Sequence, residues 1–374
     1  MKVKNDIPIV IADEKIPFLD SLAEFPIRLM TYPSHHITRS LLMDIGAEAL
    51  LIRTRTQCNR QLLEGTKIKF IATATSGLDH IDQHYCSNAG IEVVNAPGCN
   101  SGAVYQYITA CLIEFENIEK INLSGLVLGV IGRGQVGEKI VNLGNVLGME
   151  VLINDPPLFE KGILKSHHSL DDIITNADIV SLHVPYTNAG LHPTHHLINS
   201  QNIGRFKPTA CLINTSRGGV VDELALYRFA SIHKDFSYIL DVWENEPKIE
   251  LHLLEGALFA TPHIAGYSLD GKRNASQQIF NRLAEFYHWD EHPVLPSISV
   301  PPNARLKVEH LIEAVRASYN ILKDDEALRK NPSSFEHLRS AYKFRHEFHH
   351  FEINIQNEKD KRTALDLGFR EWTH

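Results

Sequence analysis

Residues 126–155, LVLGVIGRGQVGEKIVNLGNVLGMEVLIND, constrain this chain more than any other stretch. The apolar run 126–131 enters Gly132-Arg133-Gly134-Gln135-Val136-Gly137, after which Val136, Ile140, Leu143 and Leu147 recur at helical spacing. That pattern predicts a strand, a tight turn and a helix. A second apolar run, 151–153, leads to Asp155. This is about 20 residues beyond the glycines, where a dinucleotide-binding βαβ unit carries its ribose-binding carboxylate.

Each motif residue has a physical task in that unit. Gly132 permits the turn, Gly134 lets backbone approach a pyrophosphate, and Gly137 lets the helix pack against the strand. The helix N-terminus, opening at Gln135 and Val136, offers unpaired N–H groups to an anion. Asp155 accepts from ribose hydroxyls and repels a 2′-phosphate, and Pro156 and Pro157 follow it rather than a cation. The expected cofactor is therefore NAD rather than NADP. A glycine-rich turn in an ordinary βαβ unit is the competing reading; strand, helix, second strand and Asp in this order favour the nucleotide.

The βα alternation extends in both directions. Apolar runs at 7–12, 49–52, 68–72 and 91–94, with helix-compatible segments at 38–46 and 80–89 between them, predict a parallel α/β sheet over residues 1–100. After a helix from Ser101 to about Glu116, strands are expected at 126–131, 151–153, 179–183, 210–214, 238–240 and 258–261. A helix follows over 267–289, and Pro293, Pro296, Pro301 and Pro302 then mark a boundary. The fold class is α/β. It comprises a flavodoxin-like substrate-binding lobe (1–100 with 267–290), a Rossmann NAD-binding lobe (101–266) and a C-terminal α+β domain (291–374), with the chemistry in the cleft between the lobes. In the last domain a helix is expected over 308–322, a charged segment at 323–326, and a strand over 348–355 whose inner face a helix or another subunit must cover.

Composition narrows the function classes. A chain of 374 residues with 43% hydrophobic content can bury substantial cores. A net charge of -8 provides no general basic field for nucleic acid or an acidic membrane, although a local basic pocket remains open. No signal-peptide pattern or bilayer-length apolar run is present, and the five cysteines are scattered with no CxxC spacing, so a reduced, cytoplasmic protein is expected. The histidine doublets 35–36, 167–168, 195–196 and 349–350 form no HExxH pattern and read as surface residues rather than metal ligands.

Oxidising a 2-hydroxy acid with NAD requires a group to hold the carboxylate, a base for the C2 hydroxyl, and contact between C2 and the nicotinamide. A guanidinium fork suits the first task, and an imidazole supported by a carboxylate suits the second. Arg217, His263 and Glu246, each in a loop after an expected strand, supply that set. Singly they read as a surface cation, a loop histidine and an acid before Pro247; together they point to catalysis.

The order GxGxxG, NTSRGGVVDE, DVWENEP, TPHIAGYS resembles the D-isomer-specific 2-hydroxyacid dehydrogenases over most of residues 45–290. The resemblance implies that Arg217 binds the substrate carboxylate and keto oxygen, Glu246 orients the histidine, and His263 exchanges the proton. It further implies that Val184, Thr215, Ser216, Asp241 and Gly266 line the cofactor beside the glycine motif. TATSGLDH at 73–80, APGCN at 96–100, NDPP at 154–157, HIAGYSLDGK at 263–272 and the extra C-terminal segment resemble the branch of that family that oxidises 4-phospho-D-erythronate on the route to pyridoxal 5′-phosphate. For that branch a cytoplasmic homodimer joined through the C-terminal domain is implied, with Thr54, Thr75 and Tyr267 contacting substrate. Thr54 stands where a Ser can occur, which preserves the hydroxyl. Arg53 and Arg55 flank Thr54, and if the chain is extended there either could take the substrate phosphate. A sibling enzyme acting on 3-phosphoglycerate and a non-catalytic NAD-sensing corepressor or scaffold share these residues.

Overall fold

The computed structural model describes residues 7–372, so the first six residues of the segment 1–100 and the last two of 291–374 lie outside the described residues. Two compact units emerge: residues 1–100 with 269–299, and residues 101–268 with 300–374.

The first unit is a five-stranded parallel sheet of β1 (Ile9–Asp13), β2 (Arg28–Tyr32), β3 (Ala49–Ile52), β4 (Phe70–Thr73) and β5 (Glu92–Val94), in the order β2-β1-β3-β4-β5. This is the flavodoxin-like arrangement. Both faces are covered, so the strands read as continuous apolar runs. Val10, Ala12, Leu51 and Phe70 pack with Ala275, Ile279, Phe280 and Leu283 of the helix Leu269–Phe286, while Ile11, Leu50, Ile52 and Ile71 pack with Leu42, Leu63 and Cys86. The strand β2 has no apolar run to announce it, because as an edge strand it buries little of its Arg-Leu-Met-Thr-Tyr sequence.

The second unit carries a six-stranded parallel sheet of β6 (Val127–Ile131), β7 (Glu150–Asn154), β8 (Ile179–Leu182), β9 (Cys211–Asn214), β10 (Ser237–Leu240) and β11 (Phe259–Ala260), in the order β11-β10-β9-β8-β6-β7. Strand order reverses between β6 and β8, which creates a ligand crevice at their carboxyl ends. Side-chain alternation divides the core: Leu128, Val130 and Ile213 face the helix Ser101–Glu119, while Ile131, Val180, Leu182 and Leu212 face Ile173, Leu226 and Leu253.

Residues beyond 300 join this core instead of forming the separate body expected from 291. Ala314, Val315 and Ile321 pack against Tyr107, Ile108 and Cys111, and Leu328 and Phe335 enter the opposite core. A three-stranded parallel sheet, β12 (Arg305–Val308), β13 (Glu352–Ile355) and β14 (Arg370–Glu371), lies here with β13 in the centre. Its apolar residues Leu306, Ile353 and Ile355 are covered within the chain, in the core that holds Ala314 and Ala364. Two local expectations change. Residues 348–350 form a short 3-10 helix before β13 begins. The helix expected over 308–322 breaks after Ser318, and Asn320 caps a second helix, Ile321–Lys330, that absorbs the charged segment. Asp324 is accommodated there by the Tyr342 hydroxyl at 3.0 Å.

One ion pair ties the C-terminal segment to the nucleotide-binding sheet. Arg316 donates to both oxygens of Glu114 at 2.5 and 2.7 Å, and Glu114 is 2% exposed in the middle of the helix Ser101–Glu119. Removing Arg316 leaves a buried carboxylate without its partner. Arg316→Leu is expected to lower unfolding free energy by roughly 2 kcal/mol in urea titrations, less than the full cost of an orphaned buried charge because Arg316 is 38% exposed.

Candidate active site

The glycine turn behaves as its spacing requires. Gly132 has φ of 88°, in the region that favours glycine, and a side chain there would run into the His183 carbonyl. A side chain on Gly137 would strike the Gly132 carbonyl oxygen, whereas one on Gly134 would meet nothing within 4 Å. Open space beside Gly134, at the N-cap of the helix Gln135–Val146, is a cradle for an anion. Val136 packs at the edge of the core just past this N-terminus.

A groove of about 760 Å³ opens from this turn at the β6/β8 switch point, lined in part by Gly132, Gly134, Asp155, Val184, Pro156 and Leu197. One Asp155 oxygen accepts from the Arg133 N–H at 2.8 Å and the other from Leu158 N–H at 3.0 Å, which fixes the carboxylate and leaves lone pairs for hydroxyl donors. The Arg133 side chain is bonded to Glu138 at 2.5 Å. His183 also lines the groove; burial pushes its pKa down to about 3, so it is a neutral wall. At the end of β9, the Thr215 hydroxyl is buried without a hydrogen-bond partner. The anion cradle, fixed carboxylate and orphaned hydroxyl together fit a dinucleotide.

The second half of the site is built by loops after β9, β10 and β11. Asp241, 1% exposed at the end of β10, accepts from Thr261 Oγ1 at 2.6 Å, Ile264 N–H at 2.7 Å and Ala265 N–H at 3.0 Å. Burial raises its carboxyl above the ordinary value, against the charge of His263 and these hydrogen bonds. Both Asp241 oxygens hold the His263 loop, and three donors leave acceptor capacity on this carboxylate. The His263 N–H donates to the Asp241 carbonyl at 2.7 Å, and His263 takes φ of 57°, a left-handed conformation that costs energy without glycine.

Held this way, the His263 Nδ1 lies 2.8 Å from Glu246 Oε2 and 3.1 Å from Oε1. Glu246 also accepts the Trp243 N–H at 3.0 Å. Burial, the largest single influence, raises the Glu246 carboxyl, but the hydrogen bond and charge of His263, the Trp243 N–H and Arg339 together bring it below its ordinary value. With Nδ1 engaged, Nε2 is the ring atom left to exchange a proton. Arg217 lies in the loop after β9, its Nη1 donating to the Ser216 carbonyl at 2.8 Å. A side chain on the adjacent Gly218 would run into the Trp243 backbone, so the arginine loop packs directly against the loop that bears Glu246.

The remaining expected residues divide. Ser216 is 7% exposed, with its hydroxyl and N–H both bonded to Asn214. Gly266 follows the anchored loop, and the Tyr267 ring is flanked by Tyr342 and Phe344. In the first unit, Thr75 follows β4 with its hydroxyl 2.9 Å from that of Thr73, and Thr54 is exposed after β3. The chain is not extended around Thr54, because the Thr56 N–H bonds to the Arg53 carbonyl at 3.2 Å. Arg53 Nη2 pairs with the fully buried Asp13 at 3.1 Å, while its Nε is buried without a hydrogen-bond partner. Among the histidine doublets, His196 is not a free surface group, since its ring bonds Glu244 at 2.7 Å.

Two arginines had no motif to reveal them. Arg345, 8% exposed, donates to the carbonyls of Ile264 at 3.2 Å and Ala265 at 2.5 Å, and Arg339 reaches Glu246. The only hint in the sequence is the cation-rich stretch at 339–350, whose position in space periodicity cannot supply.

Residues 110–265 match the family model described as the NAD binding domain of D-isomer specific 2-hydroxyacid dehydrogenases, and residues 292–368 match a domain of unknown function. The chain is 41% identical to the erythronate-4-phosphate dehydrogenase of Bacteroides thetaiotaomicron, over 90% of this chain and 97% of that one. It is 35% identical to the enzyme of the same name from Pseudomonas putida, over 96% and 97%. Among solved structures, the D-lactate dehydrogenase of Aquifex aeolicus, complexed with NAD and lactic acid, superposes with a TM-score of 0.60 at 30% identity, covering 77% of this chain and all of that one. The chain belongs to the D-isomer specific 2-hydroxyacid dehydrogenase family, within its erythronate-4-phosphate dehydrogenase group, and is an NAD-dependent oxidoreductase.

Proposed function

We propose that this chain oxidises 4-phospho-D-erythronate at C2 to 2-oxo-3-hydroxy-4-phosphobutanoate, on the route to pyridoxal 5′-phosphate. The observation that carries the reading is the His263–Glu246 hydrogen bond of 2.8 Å, set in a chain whose named relatives span nearly its whole length. Bound in the β6/β8 groove, NAD supplies the acceptor for the C2 hydride.

The protein's own groups account for the rest. Arg217 pairs with the substrate carboxylate through its planar fork and polarises the C2 oxygen. His263 Nε2 takes the proton of the C2 hydroxyl as the carbonyl forms, and the ring becomes imidazolium. Glu246 stabilises that charge and fixes the ring orientation through Nδ1. The Asp155 carboxylate receives the adenosine ribose hydroxyls, and the Thr215 hydroxyl gains the partner it lacks within the protein. Thr54 and Thr75, in the first unit, and Tyr267, in the second, supply hydroxyl contacts to substrate.

The same reading includes a homodimer and a cytoplasmic setting. Edge strand β12 has a neighbour on one side only, a feature that second copies of a chain commonly cover. All five cysteines are free and buried, in keeping with a reducing compartment, and no helix among the described residues is long and apolar enough to cross a membrane.

A substrate panel with NAD tests the function, with 4-phospho-D-erythronate expected to exceed 3-phosphoglycerate in kcat/KM and the reverse order overturning the assignment. His263→Asn should reduce turnover by roughly 10²–10⁴ with NADH binding retained, and near-normal turnover would remove His263 from the acid/base role. Asp155→Ala should shrink the NAD over NADP preference by about tenfold, read as the ratio of kcat/KM values. Glu246 holds its proton less readily folded than unfolded, so its contribution to stability is present above the ordinary value of 4.5 and is lost as pH falls through the lowered folded value. The gap in unfolding free energy between wild type and Glu246→Gln should accordingly be open at neutral pH and close in acid; a gap independent of pH would contradict this.

A further inference from the structure

The stretch 335–345 reaches the residues that carry the chemistry. Arg339, in the helix Phe335–Ser340, donates from Nη1 to Glu246 Oε2 at 3.4 Å and from Nε to the Tyr267 hydroxyl at 3.3 Å, with its side chain 19% exposed. Both contacts are long, and Arg339 makes no other hydrogen bond or ion pair among the described residues. A guanidinium has five N–H donors, so most of its capacity is open. Tyr342 and Phe344 of the same stretch flank the Tyr267 ring at 6.0 and 5.9 Å, which fixes the phenol beside the guanidinium.

A cation at this place is a poor choice for the acid/base pair alone. Glu246 serves His263 by stabilising the imidazolium, and a second cation on the same oxygen competes for that charge. Nor is Arg339 tied down as other arginines are. Arg316 grips Glu114 at 2.5 and 2.7 Å, and Arg345 is enclosed by backbone carbonyls. A dianionic ligand group resolves the conflict, because it gives the guanidinium a stronger partner than a single oxygen at 3.4 Å. Arg339 meets Glu246 at 3.4 Å on the same oxygen that holds His263 Nδ1 at 2.8 Å, so it neighbours the pair from the Glu246 side. The phosphate of a short acid phosphorylated at its far end lies only a few covalent bonds from the hydroxyl that His263 serves.

We propose that Arg339 binds the phosphate of the substrate, so that the C-terminal segment sets the preference for phosphorylated 2-hydroxy acids. The proposal rests on the dehydrogenase reading above and deepens it. It adds to the expected Arg53 a cation that no motif announces.

The test uses the full-length enzyme with NAD, comparing wild type, Arg339→Gln and Arg339→Lys on 4-phospho-D-erythronate and on unphosphorylated D-erythronate, with inorganic phosphate as an inhibitor competing with the acid. Arg339→Gln should raise KM for the phosphorylated acid by roughly 10- to 100-fold, the size of one or two charge-assisted hydrogen bonds, while kcat falls far less. Phosphate inhibition should weaken in proportion, the kcat/KM advantage of the phosphorylated over the unphosphorylated acid should shrink, and Arg339→Lys should recover part of each. A fall in kcat with KM and phosphate inhibition unchanged, accompanied by a displaced pH–rate profile, would overturn the proposal and leave Arg339 a positioning residue for Glu246. Unaltered kinetics would overturn it outright. NADH binding equal to wild type shows that a variant is folded; if Arg339→Gln does not fold, phosphate inhibition of Arg339→Lys decides, weakened in support and unchanged against. If wild type fails to oxidise 4-phospho-D-erythronate, the substrate assignment falls separately, and phosphate inhibition measured with whichever 2-hydroxy acid it does oxidise still decides the role of Arg339.

Discussion

The buried carboxylate of Asp241 is the interaction on which the catalytic loop depends. A charge in that position is unfavourable unless its oxygens are hydrogen-bonded, and here three donors from residues 261–265 supply the bonds. Because the donors come from one short loop, satisfying the carboxylate also dictates the loop's path. His263 is carried into a left-handed conformation that an L residue adopts only when its surroundings require it, and its Nδ1 is thereby presented to Glu246. Tyr107 extends the network from the helix Ser101–Glu119, its hydroxyl 2.8 Å from Thr261 Oγ1.

Arg345 holds the same loop from its other side. It satisfies the carbonyls of Ile264 and Ala265, whose N–H groups Asp241 has taken, and it also bonds the Ala103 carbonyl at 2.9 Å and Gln106 at 3.0 Å. Its guanidinium lies over the Tyr319 ring at 4.2 Å. The peptide units that bear the proposed acid/base group are thus clamped between a buried anion and a buried cation. In a fully satisfied network of this kind each bond limits the movement of the next, and the geometry of a catalytic pair gains rigidity from it. The C-terminal segment is consequently part of the active site's support. It cannot be treated as an appended module, because its helices share a core with the nucleotide-binding sheet and its arginines reach the loops at the sheet's edge.

Strand positions in both large sheets were legible as apolar runs for ten of the eleven strands, most plainly where the strand is covered on both faces. The exception, β2, is an edge strand with little to bury. The third sheet was harder, since β12 and β14 are short and carry charged residues, as in Arg305 and Arg370–Glu371. The helix break at Ser318 was hidden for a similar reason. Charge density at 323–326 suggested an interruption, but those residues lie inside a helix, and the break lies just before the cap that Asn320 provides.

The sequence by itself determined the cofactor half of the molecule and the motifs in which the proposed reactive trio stands. A glycine turn, its helix and its terminal carboxylate are local chemistry, readable from spacing, and Arg217, Glu246 and His263 stand in motifs that follow recognisable strands. What tertiary structure alone decided is which charges are available. Arg53 and Arg339 are equally cationic on the page, yet one lies on a fully buried aspartate and the other is held by two long contacts to Tyr267 and Glu246. Availability depends on burial and on partners far apart in the chain, and spacing along the sequence carries no information about either.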